Sequence, residues 1–207
     1  MPLTRRTRSL APDFFEDLYQ REGDPWSFET SPYETEKYRI TVNAIASPRA
    51  SRCLEVGCSI GVLTRQLASV VDSLVATDVS TTALLAAERR CSDLTNVSFR
   101  RVSAPEENFQ GGFDLIVLSE VVYYWDDGDL DGVAAGILQS LEPGGRLLMV
   151  HFLGETDYPK SGDEAVEALG ARLSPEVSAG FALRNEKFRL DLWQREQGAG
   201  LVAKRPD

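Results

Sequence analysis

The chain has 207 residues, a formal net charge of −10 at pH 7 and a hydrophobic content of 43%. This length predicts one globular domain over residues 1–207, and the negative charge argues against a nucleic-acid partner. The sequence has no apolar run of membrane-spanning length, no signal-peptide pattern and no metal-ligand spacing among its three cysteines. These features predict a cytoplasmic protein with reduced thiols, no membrane partner and no metal.

Two helices are predicted before the first strand. A basic stretch, residues 1–8, is expected to be a loose tail. A short amphipathic helix begins at Pro12, and a second helix covers Pro32–Ala46 before Pro48 ends it. Because ligands bind at the carboxyl ends of the strands in an open α/β sheet, we expect the segment 10–47 to form a cap there. The apolar face of the first helix could instead meet a second copy, which leaves a homodimer open.

A glycine-containing turn follows the first apolar strand. Gly57 permits a tight turn, and Gly61 permits close packing of the next helix. Asp78 closes the next apolar run, and an acidic residue at the tip of the second strand is well placed to bind two ribose hydroxyls. A dinucleotide fingerprint needs further glycines where this chain has Ser59 and Val62. The pattern therefore indicates a nucleoside-containing cofactor without a pyrophosphate and disfavours a nicotinamide-dependent dehydrogenase.

The rest of the chain alternates strands and helices, which is typical of a parallel sheet. Ser80 is predicted to cap a helix with Leu85 on its apolar stripe, and Leu141–Gly145 to stop a later helix. The last two strands predict an antiparallel edge hairpin, and residues 196–207 are expected to be a loose tail. The predicted strands are Cys53–Val56, Leu74–Asp78, Val97–Val102, Phe113–Leu118, Arg146–Phe152, Val177–Leu183 and Lys187–Trp193.

Four motifs extend over most of the chain: Glu55-x-Gly57-x-x-x-Gly61, Asp78, Phe113-Asp114-Leu115-Ile116 and Leu141-x-Pro143-Gly144-Gly145. Together they resemble the class I S-adenosylmethionine (SAM)-dependent methyltransferases, although Ser59 replaces the middle glycine of the first motif. The resemblance implies an α/β, Rossmann-like fold with a mostly parallel seven-stranded sheet, a C-terminal antiparallel hairpin and N-terminal cap helices. It also implies SAM as the methyl donor and S-adenosylhomocysteine (SAH) as the product.

Four further segments carry a narrower resemblance: Asp24-Pro25-Trp26, Ser31-Pro32-Tyr33-Glu34, Lys37-Tyr38 and Glu120-Val121-Val122-Tyr123-Tyr124. They are similar to segments of the nodulation-protein-S-like methyltransferases. The namesake of that family methylates the free amine of a chitooligosaccharide, and its relatives act on other sugars and small molecules. The resemblance therefore implies a small-molecule acceptor, a sugar or oligosaccharide, and leaves the methylated atom open.

The resemblance also implies roles for individual residues in binding the cofactor. Gly57 and Ser59 would line the methionine part through their backbone, Asp78 would hold the ribose, and Val79 would pack on the adenine. Glu120 would lie near the methionine amine or the acceptor.

Two more groups are assigned in the same way. Ser103 and Ala104 lie where the family reads the adenine edge. Many relatives have Asp at the position of Ala104, so the adenine amine would here meet a backbone carbonyl or Glu106. The cap residues Trp26, Tyr33 and Lys37 would bind the cofactor, with the lysine able to meet its carboxylate. The aromatic pair could instead be packing residues, and the lysine could be a solvated residue.

The chemistry at the acceptor depends on three candidate catalytic residues. His151 is the single histidine and ends the predicted fifth strand. Because histidine titrates near neutral pH, it is suited to take the proton of an attacking alcohol, unless it is only a structural residue. Glu120, Tyr123 and Tyr124 are the other reachable polar groups, of which Glu120 and Tyr124 are the further catalytic candidates, and the tyrosine pair could simply wall the pocket. We predict methylation of a saccharide hydroxyl with His151 as the base. Methylation of an amino-sugar nitrogen, and a non-catalytic SAM-binding protein, are the alternatives.

Overall fold

The computed structural model describes residues 4–107 and 109–197. The helices are α1 (Pro12–Glu22), α2 (Pro32–Ile45), α3 (Val62–Leu67), α4 (Thr81–Arg90), α5 (Asp127–Ser140) and α6 (Gly162–Leu173), and a 3₁₀ turn covers Val122–Tyr124. The strands are β1 (Ala50–Val56), β2 (Val71–Asp78), β3 (Val97–Arg101), β4 (Phe113–Ser119), β5 (Leu141–Phe152), β6 (Val177–Arg184) and β7 (Phe188–Arg195).

The strands form one seven-stranded sheet in the order β3-β2-β1-β4-β5-β7-β6. The first five strands in that order are parallel, and β7 pairs antiparallel with both β5 and β6. The predicted sheet, including its C-terminal hairpin, is confirmed. Since β1 lies between β2 and β4, the connections after β1 and β4 lead away from each other and open a crevice at the carboxyl ends of the strands.

Helices cover both faces of the sheet, so the central strands are apolar at nearly every position. Ile116 and Leu118 pack in a cluster with residues of α5 and α6, whereas Leu115 and Val117 pack in a cluster with residues of α2 and α3. All four side chains are fully buried. The alternation of side chains along β4 thus anchors it between two helical layers and holds its carboxyl end rigidly beside the crevice.

The structure confirms the predicted start of α4 but differs from the prediction at one helix residue and one helix end. Ser80 caps α4, since its hydroxyl accepts the backbone N–H of Ala83. Leu85, however, is 50% exposed and does not belong to the buried stripe of that helix. The segment Leu141–Gly145 ends α5 and already belongs to β5, where the pairing with β4 shifts register.

The N-terminal residues are held against the body, contrary to the prediction of a loose tail. We call residues 4–11 the N-terminal strap. The backbone N–H of Arg6 donates to the carbonyl of Asp157 at 2.8 Å, and the hydroxyl of Ser9 accepts the N–H of Asp126 at 2.8 Å. Arg5 also pairs with Glu164 on α6. At the other terminus, residues 198–207 of the predicted loose tail lie outside the described residues.

Within the described ranges, none of the helices combines the length and apolar character that crossing a bilayer requires. Nor do the same residues contain a group of three or more His, Cys, Asp or Glu side chains arranged to hold a metal ion. The three cysteines are free and buried.

Candidate active site

A pocket of about 300 Å³ lies at the carboxyl ends of β1, β2 and β4, with α1 and the N-terminal strap on its other side. Seven aromatic side chains and five carboxyl side chains contribute to its lining. The aromatic residues are Phe15, Tyr19, Trp26, Phe28, Tyr38, Tyr124 and Trp125. The acidic residues are Glu55, Asp78, Glu106, Glu120 and Asp129. Within the described part of the chain, no lysine, arginine or histidine lines this pocket.

The turn after β1 is shaped by three residues with positive φ. Gly57 and Gly61 both have φ of +81°, and Ser59 has φ of +52°. A Cβ on Gly57 would lie 2.2 Å from Cγ1 of Val121, so only glycine lets this turn approach the loop after β4. Ser59 occupies the left-handed region at the position where the resembling family has glycine, which keeps the shape of the turn despite the substitution.

Asp78 connects this turn to the start of α4. Its carboxylate accepts the backbone N–H of Ser59 at 2.8 Å and that of Ser80 at 2.9 Å. Burial raises the pKa of Asp78, and these hydrogen bonds oppose the rise. The hydroxyl of Tyr19 on α1 donates to the hydroxyl of Ser59 at 2.6 Å. The acidic tip of β2 is therefore held in the pocket wall beside the glycine turn.

Glu55 is the buried acidic residue of the first motif. Its side chain is fully buried, and neither carboxyl oxygen has a hydrogen-bond partner among the described residues. Burial raises the pKa of Glu55 to about 8. An unpartnered buried carboxyl group in a pocket wall is suited to receive a cationic group of a ligand.

We expect Glu55→Gln to flatten the dependence of thermal stability on pH. Because folding raises the pKa of Glu55 from 4.5 to about 8, the stability that its protonated form contributes is fully present below pH 4.5. That contribution is lost as the pH rises towards 8. The midpoint of thermal unfolding, measured without ligand between pH 5 and 8.5, should fall less steeply in the variant than in the wild type. Glu88→Gln, at an exposed position of α4, is the control. Parallel curves for wild type and Glu55→Gln would contradict the expectation.

Glu120 follows β4 and is held by residues from three elements. It has a φ of +58°, which is rare for a residue with a side chain. Its Oε1 pairs with Lys37 of α2, and its Oε2 accepts the hydroxyl of Tyr123 at 2.6 Å and the N–H of Phe152 at 2.8 Å. Burial raises the pKa of Glu120, but the charge of Lys37 and these hydrogen bonds outweigh burial and hold it below its usual range.

Two of the predicted cap residues lie outside the pocket lining. Lys37 is 1% exposed and pairs with Glu34 as well as Glu120. Tyr33 packs edge-on against Phe152, and its hydroxyl donates to a backbone carbonyl of the β6–β7 turn at 3.4 Å. Of the three predicted cap residues, Trp26 does line the pocket. The lysine is therefore not the solvated residue that the sequence also allowed, because it is buried against two carboxyl groups.

His151 does not lie where the sequence predicted a catalytic base. The ring is fully buried and is not part of the pocket lining. Its Nε2 accepts the backbone N–H of Val122 at 3.3 Å, and the ring packs edge-on against Tyr123 with centroids 5.2 Å apart. Burial lowers the pKa of His151 to about 4. This placement agrees with the structural role that the sequence left open for His151, because the buried ring lies behind the 3₁₀ turn and outside the pocket lining.

The residues predicted to meet the adenine lie together. Val79, Ser103, Ala104 and Glu106 all line the pocket. The carbonyl of Ala104 already accepts the indole N–H of Trp125 at 3.1 Å. The carboxylate of Glu106 accepts the hydroxyl of Ser103 at 3.0 Å and keeps further acceptor positions. Both alternatives for an adenine amine, Glu106 and a backbone carbonyl, are therefore present in the pocket wall.

The family model described as Nodulation protein S (NodS) matches residues 11–154, which is well over half of the chain. The chain belongs to the NodS family. Nodulation protein S of Rhizobium tropici is 30% identical over 127 residues, covering 60% of this chain and 53% of that protein. The chain thus spans about half the length of the curated NodS relatives it matches.

Two solved structures share the fold of this NodS-family chain. The N-methyltransferase NodS from Bradyrhizobium japonicum WM9, in complex with SAH, superposes with a TM-score of 0.77 at 22% identity, covering 87% of this chain and 97% of that one. A putative methyltransferase from Pseudomonas syringae has a TM-score of 0.69 at 34% identity, covering 79% and 99%. The predicted fold and the family resemblance are therefore confirmed.

The sequence did not identify how the cap of this NodS-family protein is attached. Glu16 on α1 accepts hydrogen bonds from the hydroxyls of Ser80 and Thr82, at 2.7 and 2.5 Å. These bonds, that of Thr82 first, lower the pKa of Glu16 to about 2 despite the opposing effect of burial. The amphipathic pattern of α1 also does not predict the contact between the hydroxyl of Tyr19 and that of Ser59. The hydroxyl residues that follow Asp78 in the sequence were the available sign that an acidic residue of the cap could bind there.

Proposed function

We propose that this protein is a SAM-dependent methyltransferase. Its family and the SAH-bound NodS structure support the proposal, and so does the fit between the pocket and the donor. Gly57 and Ser59 would follow the methionine part, and the unpartnered carboxyl of Glu55 would meet its ammonium group. Asp78 would hold the ribose hydroxyls, and Glu106 the adenine amine. When bound there, SAM supplies an electrophilic methyl group on a positively charged sulfur.

We propose further that the acceptor is a small amine. The observation that carries this proposal is the composition of the pocket wall, which keeps Glu120 and Asp129 as acidic residues beyond those assigned to the donor and has, among the described residues, no histidine or basic residue. An alcohol must lose its proton as it attacks and gains from a base, whereas a neutral amine attacks directly and becomes positively charged. The acidic wall favours that developing charge. This proposal replaces the predicted saccharide hydroxyl acceptor by the amino-sugar alternative.

We propose that Tyr124 and the aromatic residues packed against it form the surface on which the acceptor lies. Tyr124 packs edge-on against Phe15, with centroids 4.8 Å apart, and contacts Tyr158 at the same distance. Burial raises the pKa of Tyr124 well above its usual value, so its phenol is a poor base at neutral pH. Tyr124 would therefore form an aromatic surface on which an apolar or sugar face can stack, while Glu120 supplies a polar contact.

The homodimer that the sequence left open stays a prediction.

The test is transfer of an isotope-labelled methyl group from SAM to a panel of matched amino sugars, the corresponding neutral sugars and simple amines. We expect label on nitrogen, located by mass-spectrometric fragmentation. His151→Gln, which keeps an acceptor for the N–H of Val122, should retain turnover within a few-fold over pH 6–9, whereas loss of a general base costs roughly 100-fold or more. Label on sugar oxygen, with turnover dependent on His151, would restore the hydroxyl prediction. SAM binding without transfer to any acceptor would favour a non-catalytic binding protein.

A further inference from the structure

Lys37 is a buried cation beside the pocket, and its ammonium group hydrogen-bonds to two carboxylates inside the protein. It lies 2.9 Å from Oε2 of Glu34 and pairs at closer range with Oε1 of Glu120. The rings of Tyr33 and Tyr38 lie on its other sides, with centroids 5.0 and 5.8 Å away. Two of the three N–H donors of the ammonium group are used by these carboxylates, and the buried side chain lies outside the pocket lining, so Lys37 is poorly placed to bind a ligand carboxylate.

The same contacts leave Glu120 with one unused acceptor position. A carboxylate has about four lone-pair positions, and three are taken by Lys37, Tyr123 and the N–H of Phe152. The remaining position belongs to Oε1, the oxygen that pairs with Lys37, and Glu120 forms part of the pocket wall. Its positive φ shows that the surrounding structure imposes this orientation against a local backbone preference.

We propose that Glu34 and Lys37 are positioning residues for the acceptor: Lys37 fixes the carboxylate of Glu120 so that its free position accepts an N–H of a primary or secondary amine. The proposal rests on the proposed function. It differs from the role that the family resemblance implied for Lys37, which was to bind the methionine carboxylate. Glu34 and Glu120 both pair with the ammonium group of Lys37, so one negative charge of the cluster is not balanced by Lys37. The positively charged nitrogen of the methylated amine would balance that charge.

The step that this arrangement serves is a displacement. The nitrogen lone pair of the acceptor forms the new N–C bond as the S–C bond of the donor breaks, and the electron pair of that bond stays on sulfur, which becomes neutral. The methylated nitrogen carries the positive charge and stays hydrogen-bonded to Glu120 until its proton leaves to solvent. Glu120 thus orients the lone pair and stabilises the product charge, and no proton needs to be taken during the attack.

Charged and titratable side chains lie around Glu120 on α2, on the 3₁₀ turn, on β5 and at Tyr158. Those of α2 are Tyr33, Glu34, Lys37 and Tyr38, and the others are Tyr123, Tyr124, His151 and Tyr158. Lys37 is the cation in direct contact with the carboxylate. Removing its charge should therefore raise the pKa of Glu120 and move the acidic limb of the pH profile upwards.

The experiment compares wild type, Lys37→Met, the double variant Glu34→Gln/Lys37→Met and the control Lys187→Met. Lys187 lies over the ring of Tyr33 at 5.5 Å but is exposed and makes no contact with Glu120. We expect both Lys37 variants to lose about tenfold or more in kcat/KM for the amine, mainly through KM, while calorimetric SAH affinity stays within about threefold. The acidic limb of their pH profile should move upwards. The control should match wild type.

The double variant removes both members of the Glu34–Lys37 pair, which protects the test if Lys37→Met alone fails to fold. A loss of SAH affinity with unchanged KM for the amine would overturn the proposal and return Lys37 to the methionine carboxylate. Unchanged kinetics in both variants would overturn it while leaving the amine methyltransferase in place. If wild type transfers no methyl group to any amine, the proposed function fails. Calorimetry of an amine on the SAH-loaded protein then decides the inference, which fails if wild type and the Lys37 variants bind the amine alike or none binds it.

Discussion

Asp78→Asn is expected to weaken SAH binding about 100-fold, because the two charge-assisted hydrogen bonds that we propose between Asp78 and the ribose hydroxyls would become neutral ones. The substitution acts on the loop as well. The carboxylate now accepts the N–H groups of Ser59 and Ser80, and the amide nitrogen of asparagine would face one of these donors. Isothermal calorimetry with SAH measures the effect directly and needs no acceptor.

Asp129→Asn is the matched control for this measurement. Asp129 also lines the pocket, and its change removes the same charge without touching the glycine turn or the tip of β2. The control should bind SAH within about threefold of wild type, since a single charge at a solvent-accessible wall contributes little. Equal weakening in the two variants would show that Asp78 acts through overall charge and not through contact with the ribose.

Gly57→Ala is expected to destabilise the fold by about 2–4 kcal/mol, through a left-handed backbone and a steric clash. Its φ is +81°, and the added Cβ would lie 2.2 Å from Cγ1 of Val121, a side chain in the loop that follows β4. Relief of the clash must move this loop and with it Glu120. The thermal midpoint should fall by roughly 5–15 °C, and SAH affinity should fall as well.

Gly23→Ala separates the two causes. Gly23 has φ of +68°, and nothing lies within 4 Å of a Cβ built there. It therefore carries a backbone cost at positive φ without the clash, and its variant should lose less stability than Gly57→Ala. If both variants lose the same stability, the contact between the glycine turn and the loop after β4 contributes nothing.

Much of the fold could be predicted from local patterns in the sequence. Alternating strands and helices predicted the parallel sheet, and Gly57 and Asp78 indicated the crevice that we propose as the donor site. These features depend on residues close in sequence, whose periodicity and backbone preferences are visible in the chain itself. Strand lengths were less accurate, because pairing with neighbouring strands extends β1 and β2 beyond their most apolar residues.

The candidate site was harder to predict from the sequence, because its main contacts join distant parts of the chain. Lys37 and Glu120 are 83 positions apart, and His151 is covered by a turn 29 positions before it. A histidine at a strand end looks the same in the sequence whether it faces the pocket or the core. The orientation of the 3₁₀ turn decides this, and side-chain packing sets that orientation.

The N-terminal strap also has a consequence for the order in which the protein folds. Its partners, Tyr124, Asp126, Asp157 and Glu164, come more than a hundred positions later in the chain. During synthesis the strap therefore has no partner until Tyr124 and Asp126 have been made, and its contacts with Asp157 and α6 form later still. The glycine turn and Asp78 can assemble with β1 and β2 much earlier. This part of the pocket is therefore in place first, and the wall that the earliest residues supply is added last.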